Sequence, residues 1–166
     1  MVRVPKTVMD MIDAAVGMQY TSRPDFVVEA IRNYMDYVSS AEAETVALLK
    51  EKDVSYAAKL EFYFEALEIR LTPDRNLYRV SEERSEGKSV EVLLSVLPGL
   101  IAEMNDIVVR TKAFRNGQEF IKMAIIHLIS SMSKRGADTR LTIEFLQNSD
   151  LKGMKEELDK LREEFR

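Results

Sequence analysis

Polar and apolar positions alternate at the start of the chain. Val2 and Val4 fall on one face of an extended segment and Arg3 on the other, which predicts a short strand, and Pro5, lacking an N–H, ends it. The period then changes. Val8, Met11, Ile12, Ala15 and Val16 recur at i, i+3, i+4, i+7 and i+8. That stripe predicts a helix over residues 7–16, with Asp10 and Asp13 on its wet side and Gly17 placed to end it. After a turn, Ser22 and Asp25 make a Ser-x-x-Asp variant of the capping box, and Pro24 suits the first turn of the helix it opens. This second helix is expected to bury Phe26, Val27, Ala30, Ile31, Tyr34 and Val38 and to show Glu29, Arg32 and Asp36 to water.

From Ser39 to about Leu71 the residues favour helix, interrupted at Asp53-Val54-Ser55, where Ser55 is expected to cap a new one. Leu60, Tyr63, Phe64, Leu67 and Leu71 form its apolar face, although residues 67–71 also alternate and leave a strand open there. The aromatic residues Tyr56, Phe62, Tyr63 and Phe64 read as a packed helix face rather than a ligand pocket. Pro73-Asp74-Arg75-Asn76 predicts a turn or loop, and the charged residues 81–88 an exposed linker.

The opening pattern then returns. An extended run over residues 90–97 ends at Pro98, and the next helix has Leu100, Ile101, Met104, Ile107 and Val108 on one face. Asn116 and Glu119 match Ser22 and Asp25, while Phe114, Phe120, Ala124 and Ile125 match Tyr20, Phe26, Ala30 and Ile31. The departures are as informative. Val96 stands where the first copy has Arg3, or Leu97 if the alignment slips by one, so this ribbon face has lost its charge. Met123 replaces Glu29 and Ile126 replaces Arg32, which predicts that a face wet in the first copy is packed in the second. His127 aligns with Asn33 and reads as a surface or packing histidine. Beyond it, a short helix is expected over residues 139–147. Leu151, Met154, Leu158, Leu161 and Phe165 then step by three and four along a coiled-coil-like seam.

Composition narrows the function. The chain has 166 residues, no cysteine and a single histidine, which leaves no thiol chemistry and no residue set spaced for zinc. No Gly-rich phosphate loop or catalytic triad stands out, so no enzyme and no cofactor is expected. There is no run of apolar residues long enough for a transmembrane helix and no signal-peptide pattern, and a cytoplasmic location is expected. The net charge of −4 argues against indiscriminate nucleic-acid binding. Only residues 88–135, with seven basic and four acidic side chains, are net positive, so bulk charge does not decide the matter.

The order strand, proline, helix, turn and Ser-capped helix over residues 2–37 resembles the ribbon–helix–helix DNA-binding family of the MetJ and Arc type, with a degenerate second copy downstream. The resemblance implies a mainly α fold with short β-ribbons, as tandem ribbon–helix–helix repeats joined by a helical connector. Repeat 1 is expected over residues 1–38, the connector over 39–80, a linker over 81–89, repeat 2 over 90–133 and a helical tail over 134–166. In such proteins two strands pair antiparallel into a ribbon that enters the major groove of double-stranded DNA. By that resemblance Arg3 reads bases, Lys6 lies at the strand's exit, and Thr21, Ser22 and Arg23 grip a phosphate at a helix N-terminus. Arg110, Lys112, Arg115 and Asn116 are candidate backbone contacts in the second copy. Pairing of like strands in a homodimer or higher homo-oligomer is the favoured arrangement, because it sets Arg3 beside a second Arg3, with pairing inside one chain as the rival. The function implied is a DNA-binding transcriptional regulator or repressor whose second repeat serves assembly. The alternative is an oligomerisation or protein-binding module that has lost DNA binding.

Overall fold

The period-two start and Pro5 produce the expected strand, β1 (Val2–Pro5), and helix α1 (Lys6–Met18) follows without a gap. The computed structural model describes residues 2–94 and 97–134, the last two by backbone alone. The remaining elements are α2 (Arg23–Lys50), α3 (Tyr56–Arg84), β2 (Ser89–Val92), α4 (Pro98–Thr111) and α5 (Gly117–Lys134). The chain is thus mainly helical, with five helices and one two-stranded antiparallel sheet among the described residues. Residues cluster into two compact units, Met1–Leu128 and Ile129–Arg166. The expected tail helix and the seam from Leu151 to Phe165 lie outside the described residues, as does Val96.

Local chemistry explains the helix boundaries. The Ser22 hydroxyl accepts from the Asp25 N–H at 3.3 Å with Pro24 in the first turn, and the Ser55 hydroxyl accepts from the Ala58 N–H at 3.2 Å. Asn116 Oδ1 accepts from the Glu119 N–H at 2.9 Å at the start of α5. Each cap satisfies a backbone donor that the first helical turn leaves orphaned. Replacing Ser55 with alanine is therefore expected to cost about 1 kcal/mol of stability. The shift in urea midpoint measures it, and an unchanged midpoint would mean the cap contributes nothing. One expected stop is absent. Gly17 stays helical, and α1 closes at Gln19, whose N–H reaches the Ala15 carbonyl.

α2 buries the stripe its sequence predicts, Phe26, Val27, Ala30, Ile31, Tyr34 and Val38, and runs on unbroken to Lys50. It packs along α3, where the sequence expectation fails in two places. Residues 67–71 are helix, as the main reading has it, and not the strand left open there. Pro73 sits inside α3 instead of in a turn. The helix also continues into the first half of the expected linker, to Arg84. An interior proline costs a helix about 3 kcal/mol by removing a hydrogen bond and crowding the turn before it. Here a neighbour binds at that turn, because the Tyr37 hydroxyl donates to the Arg70 carbonyl at 2.9 Å. The face that α3 buries follows steps of four and three through Leu67, Leu71, Asp74, Tyr78, Ser81 and Ser85, with Tyr78 half-buried and the rest buried. After Pro73 this seam is polar, so hydrophobic periodicity does not reveal it. Its polar groups are bonded. Ser85 Oγ donates to the Ser81 carbonyl at 2.8 Å and accepts from the Thr7 N–H at 3.0 Å, joining the end of α3 to the start of α1.

The turn into β2 passes through Glu86 and Gly87, at φ 51° and 79°, with the Lys88 N–H returning to the Ser85 carbonyl at 2.9 Å. Two consecutive left-handed residues ending in glycine have the φ pattern of a type I′ turn. This reversal lays β2 against β1. The two strands pair antiparallel in the register Val2 with Val92, Arg3 with Glu91, Val4 with Val90 and Pro5 with Ser89. The Lys6 N–H adds a bond to the Lys88 carbonyl at 3.0 Å. The ribbon expected between two chains therefore closes within one, because α3 carries the chain back to its own N-terminus. The second strand also differs from expectation. It uses Ser89–Val92 rather than the run up to Pro98, so Glu91, not Val96 or Leu97, stands opposite Arg3.

Candidate nucleic-acid interface

Alternation gives the ribbon two chemically distinct faces. Val2, Val4 and Val92 are each 1% exposed and form the inner one. Arg3, Ser89 and Glu91 are exposed and form the outer one. Arg3 is held on both sides there. Its Nη1 donates to Glu91 Oε1 at 3.0 Å and its Nε donates to Ser89 Oγ at 3.1 Å. The pair is solvent-facing, so it contributes at most about 1 kcal/mol and exchanges readily for another partner. Arg3 was legible from the sequence as the outward residue. Glu91 and Ser89 were not, because the expected register ended the second strand at Pro98.

The other candidates also meet acids. Lys6 Nζ lies 3.4 Å from Asp10 Oδ2, one turn along α1. Arg23 makes a two-point bond to Asp13 through Nε at 2.7 Å and Nη2 at 2.9 Å, which fastens the start of α2 to α1 and raises the guanidinium pKa. The Thr21 hydroxyl donates to Asp25, so the carboxylate of the first turn of α2 sits where the family resemblance would place a phosphate. Ser22 serves as the cap itself.

In the second half, Arg110 is committed to the fold. Its Nη2 and Nε bind the Glu42 carboxylate at 2.9 and 3.1 Å, and the Tyr63 hydroxyl donates to the same group at 2.5 Å. Burial by itself would raise the Glu42 pKa, but the bonds from Arg110 and Tyr63 outweigh it and hold the carboxyl below its usual range. One carboxylate thus ties α2, α3 and α4 together. Lys112 is exposed at the left-handed C-cap of α4. Arg115 has a side chain 92% exposed and a loose pairing with Glu119 at 3.6 Å. Asn116, besides capping α5, lines a recess of about 400 Å³ with Gly117, Gln118, Met104, Leu94 and Val2. The start of α5 therefore lies beside the end of the ribbon.

The packed face predicted for the second half is present, with Met123 and Ile126 both buried. His127 is more than a packing residue, since its Nδ1 lies 3.1 Å from Oδ2 of the buried Asp74. Its ring also rests 4.3 Å from that of Tyr37, centroid to centroid. No pair of sequence-matched positions hints at the Asp74–His127 contact, which spans α3 and α5. Among the described residues no group of acidic, histidine or cysteine side chains is arranged to hold a metal ion, and no helix is long and apolar enough to cross a membrane. No family model, curated protein or solved structure matches the chain.

Proposed function

We propose that this chain is a DNA-binding transcriptional regulator that uses the β1–β2 ribbon for operator recognition, in the manner of tandem ribbon–helix–helix proteins. Here one chain supplies both strands. The observation that supports this reading is the ribbon itself, a two-stranded antiparallel element with an apolar inner face and an outer face of Arg3, Ser89 and Glu91. A two-stranded ribbon of this kind fits the major groove, and an outward arginine matches the paired acceptors of guanine. The start of α5 at Asn116, next to the ribbon's end, offers helix N–H groups near it.

The second reading, a protein-binding or oligomerisation module without DNA affinity, is favoured by a specific observation. Arg3, Lys6, Arg23, Arg110 and Arg115 each have a carboxylate partner within the chain. Fluorescence anisotropy of the full chain on duplex DNA over a salt series separates the readings. For the regulator, affinity falls steeply as salt rises, and Arg3→Ala weakens binding about ten-fold, the loss of one good base contact. Failure to bind any duplex at low salt leaves the second reading.

A further inference from the structure

The two strands of the ribbon are not equivalent, and their chemistry differs at the position that faces outward. A ribbon built from two identical chains shows the same residue twice about a two-fold axis, which is why such dimers read palindromic half-sites. In this chain the cross-strand partner of Arg3 is Glu91, and the side chains meet at 3.0 Å with 59% and 49% of their surfaces open to solvent. We infer, on the basis of the proposed DNA-binding function, that Arg3 and Glu91 together determine specificity by reading adjacent base pairs of a non-palindromic target, Arg3 taking guanine and Glu91 the amino group of cytosine.

The bonding inventory supports this division. Ser89 occupies the Nε donor of Arg3 and Glu91 occupies one donor of Nη1. Both Nη2 hydrogens remain, together with the second one on Nη1, and two of these suffice for O6 and N7 of guanine. Glu91 engages Arg3 through Oε1, which leaves Oε2 as an acceptor. A carboxylate in the major groove is repelled by phosphates and by the acceptor edges of guanine and thymine. It is satisfied by an exocyclic amino group, and the cytosine N4 amine stands without the adjacent N7 acceptor that adenine carries. Paired antiparallel residues lie about 5 Å apart at Cα, close to the roughly 3.4 Å step between base pairs once the side chains converge. Neighbouring base pairs are therefore within reach of the two tips.

The experiment is selection of duplexes from a random library by the full chain, followed by anisotropy on the enriched duplex and its single-base-pair variants. Wild type, Arg3→Ala and Glu91→Gln are compared, with circular dichroism confirming that these exposed substitutions leave the fold intact. The expected target is non-palindromic, with the guanine and the cytosine on opposite strands of adjacent base pairs, since on one strand they would make a self-complementary step. Glu91→Gln should move the preference at the cytosine position toward adenine by about ten-fold, since an amide pairs with adenine N6 and N7. It should not steepen the salt dependence by a full phosphate contact, because Glu91 neutralises none. Arg3→Ala should erase the preference at the neighbouring guanine. A palindromic target, or a base preference indifferent to Glu91→Gln, overturns the inference while leaving DNA binding standing. Enrichment of no duplex at low salt overturns the proposed function, and this inference with it.

Discussion

Replacing Phe120 with alanine is expected to lower the stability of the fold by about 3–5 kcal/mol, the range for removing a fully buried aromatic ring. Phe120 has no exposed surface, and its ring meets Tyr34 of α2 at 5.1 Å and Phe114 at 4.9 Å in edge-to-face geometry. Tyr34 is itself fully buried, and Phe114 also reaches it at 6.0 Å, so three rings close on one another where α5 meets α2. The alanine variant loses the transfer energy of the ring and leaves a void. The partners cannot close that void, because Tyr34 is fixed on α2 beside Ile31 and Val38, both buried. Urea denaturation followed by circular dichroism measures the loss as a lowered midpoint at constant slope. A loss below about 1 kcal/mol would mean that α5 does not pack on α2 through this ring.

The second large effect concerns Asp74 and His127, and its interest lies in an asymmetry. Asp74 lies on the buried seam of α3, and His127 Nδ1–H donates to its carboxylate at 3.1 Å. His127→Ala removes the donor and leaves a carboxylate in the interior, for which a cost of about 3 kcal/mol or more is expected. Asp74→Asn keeps an oxygen that accepts the same bond and removes only its charge, for an expected cost of about 1 kcal/mol. His127→Phe separates bonding from packing, since a ring is retained against Tyr37, 4.3 Å away, while the donor is lost. It should behave like the alanine variant. The same denaturation measurement decides, and Asp74→Asn costing more than His127→Ala would show that the pair does not govern this part of the core.

How far the fold was legible depends on which physical signal each residue carries. Ser22, Ser55 and Asn116 announce helix starts because capping is local: the acceptor and the N–H that it satisfies lie three residues apart. The stripe from Phe26 to Val38 is legible because burial follows the helical period. Pro73 misled because its helix-breaking tendency is also local, whereas the packing of α3 along α2, which holds the helix on both sides of it, is not. Ser81 and Ser85 misled for a related reason. They are polar, and only the Thr7 contact, 78 positions away in sequence, shows why burial suits Ser85. The strand register failed on hydrophobicity. The run after Val92 is the greasier one, yet a ribbon with one buried face takes the segment whose residues alternate, and a slip of one residue would have turned Glu91 inward. At the candidate interface, Arg3 was legible as an outward cation. What each cation faces was not, because Asp13 for Arg23 and Glu42 for Arg110 are brought together only by the fold.

The pairing of Val2 with Val92 also dictates an order of events during synthesis. At about 5–20 residues per second, β1 leaves the ribosome on the order of ten seconds before its partner has been made. Until then it is an unpaired edge with two valines on one side, the kind of segment that invites association with other chains. Its brevity, Arg3 on the opposite face and Pro5 at its end limit that hazard. The helices between the strands can form from local contacts meanwhile, so the ribbon closes after α1, α2 and α3, and the surface proposed to meet DNA exists only once the chain has been made through Val92.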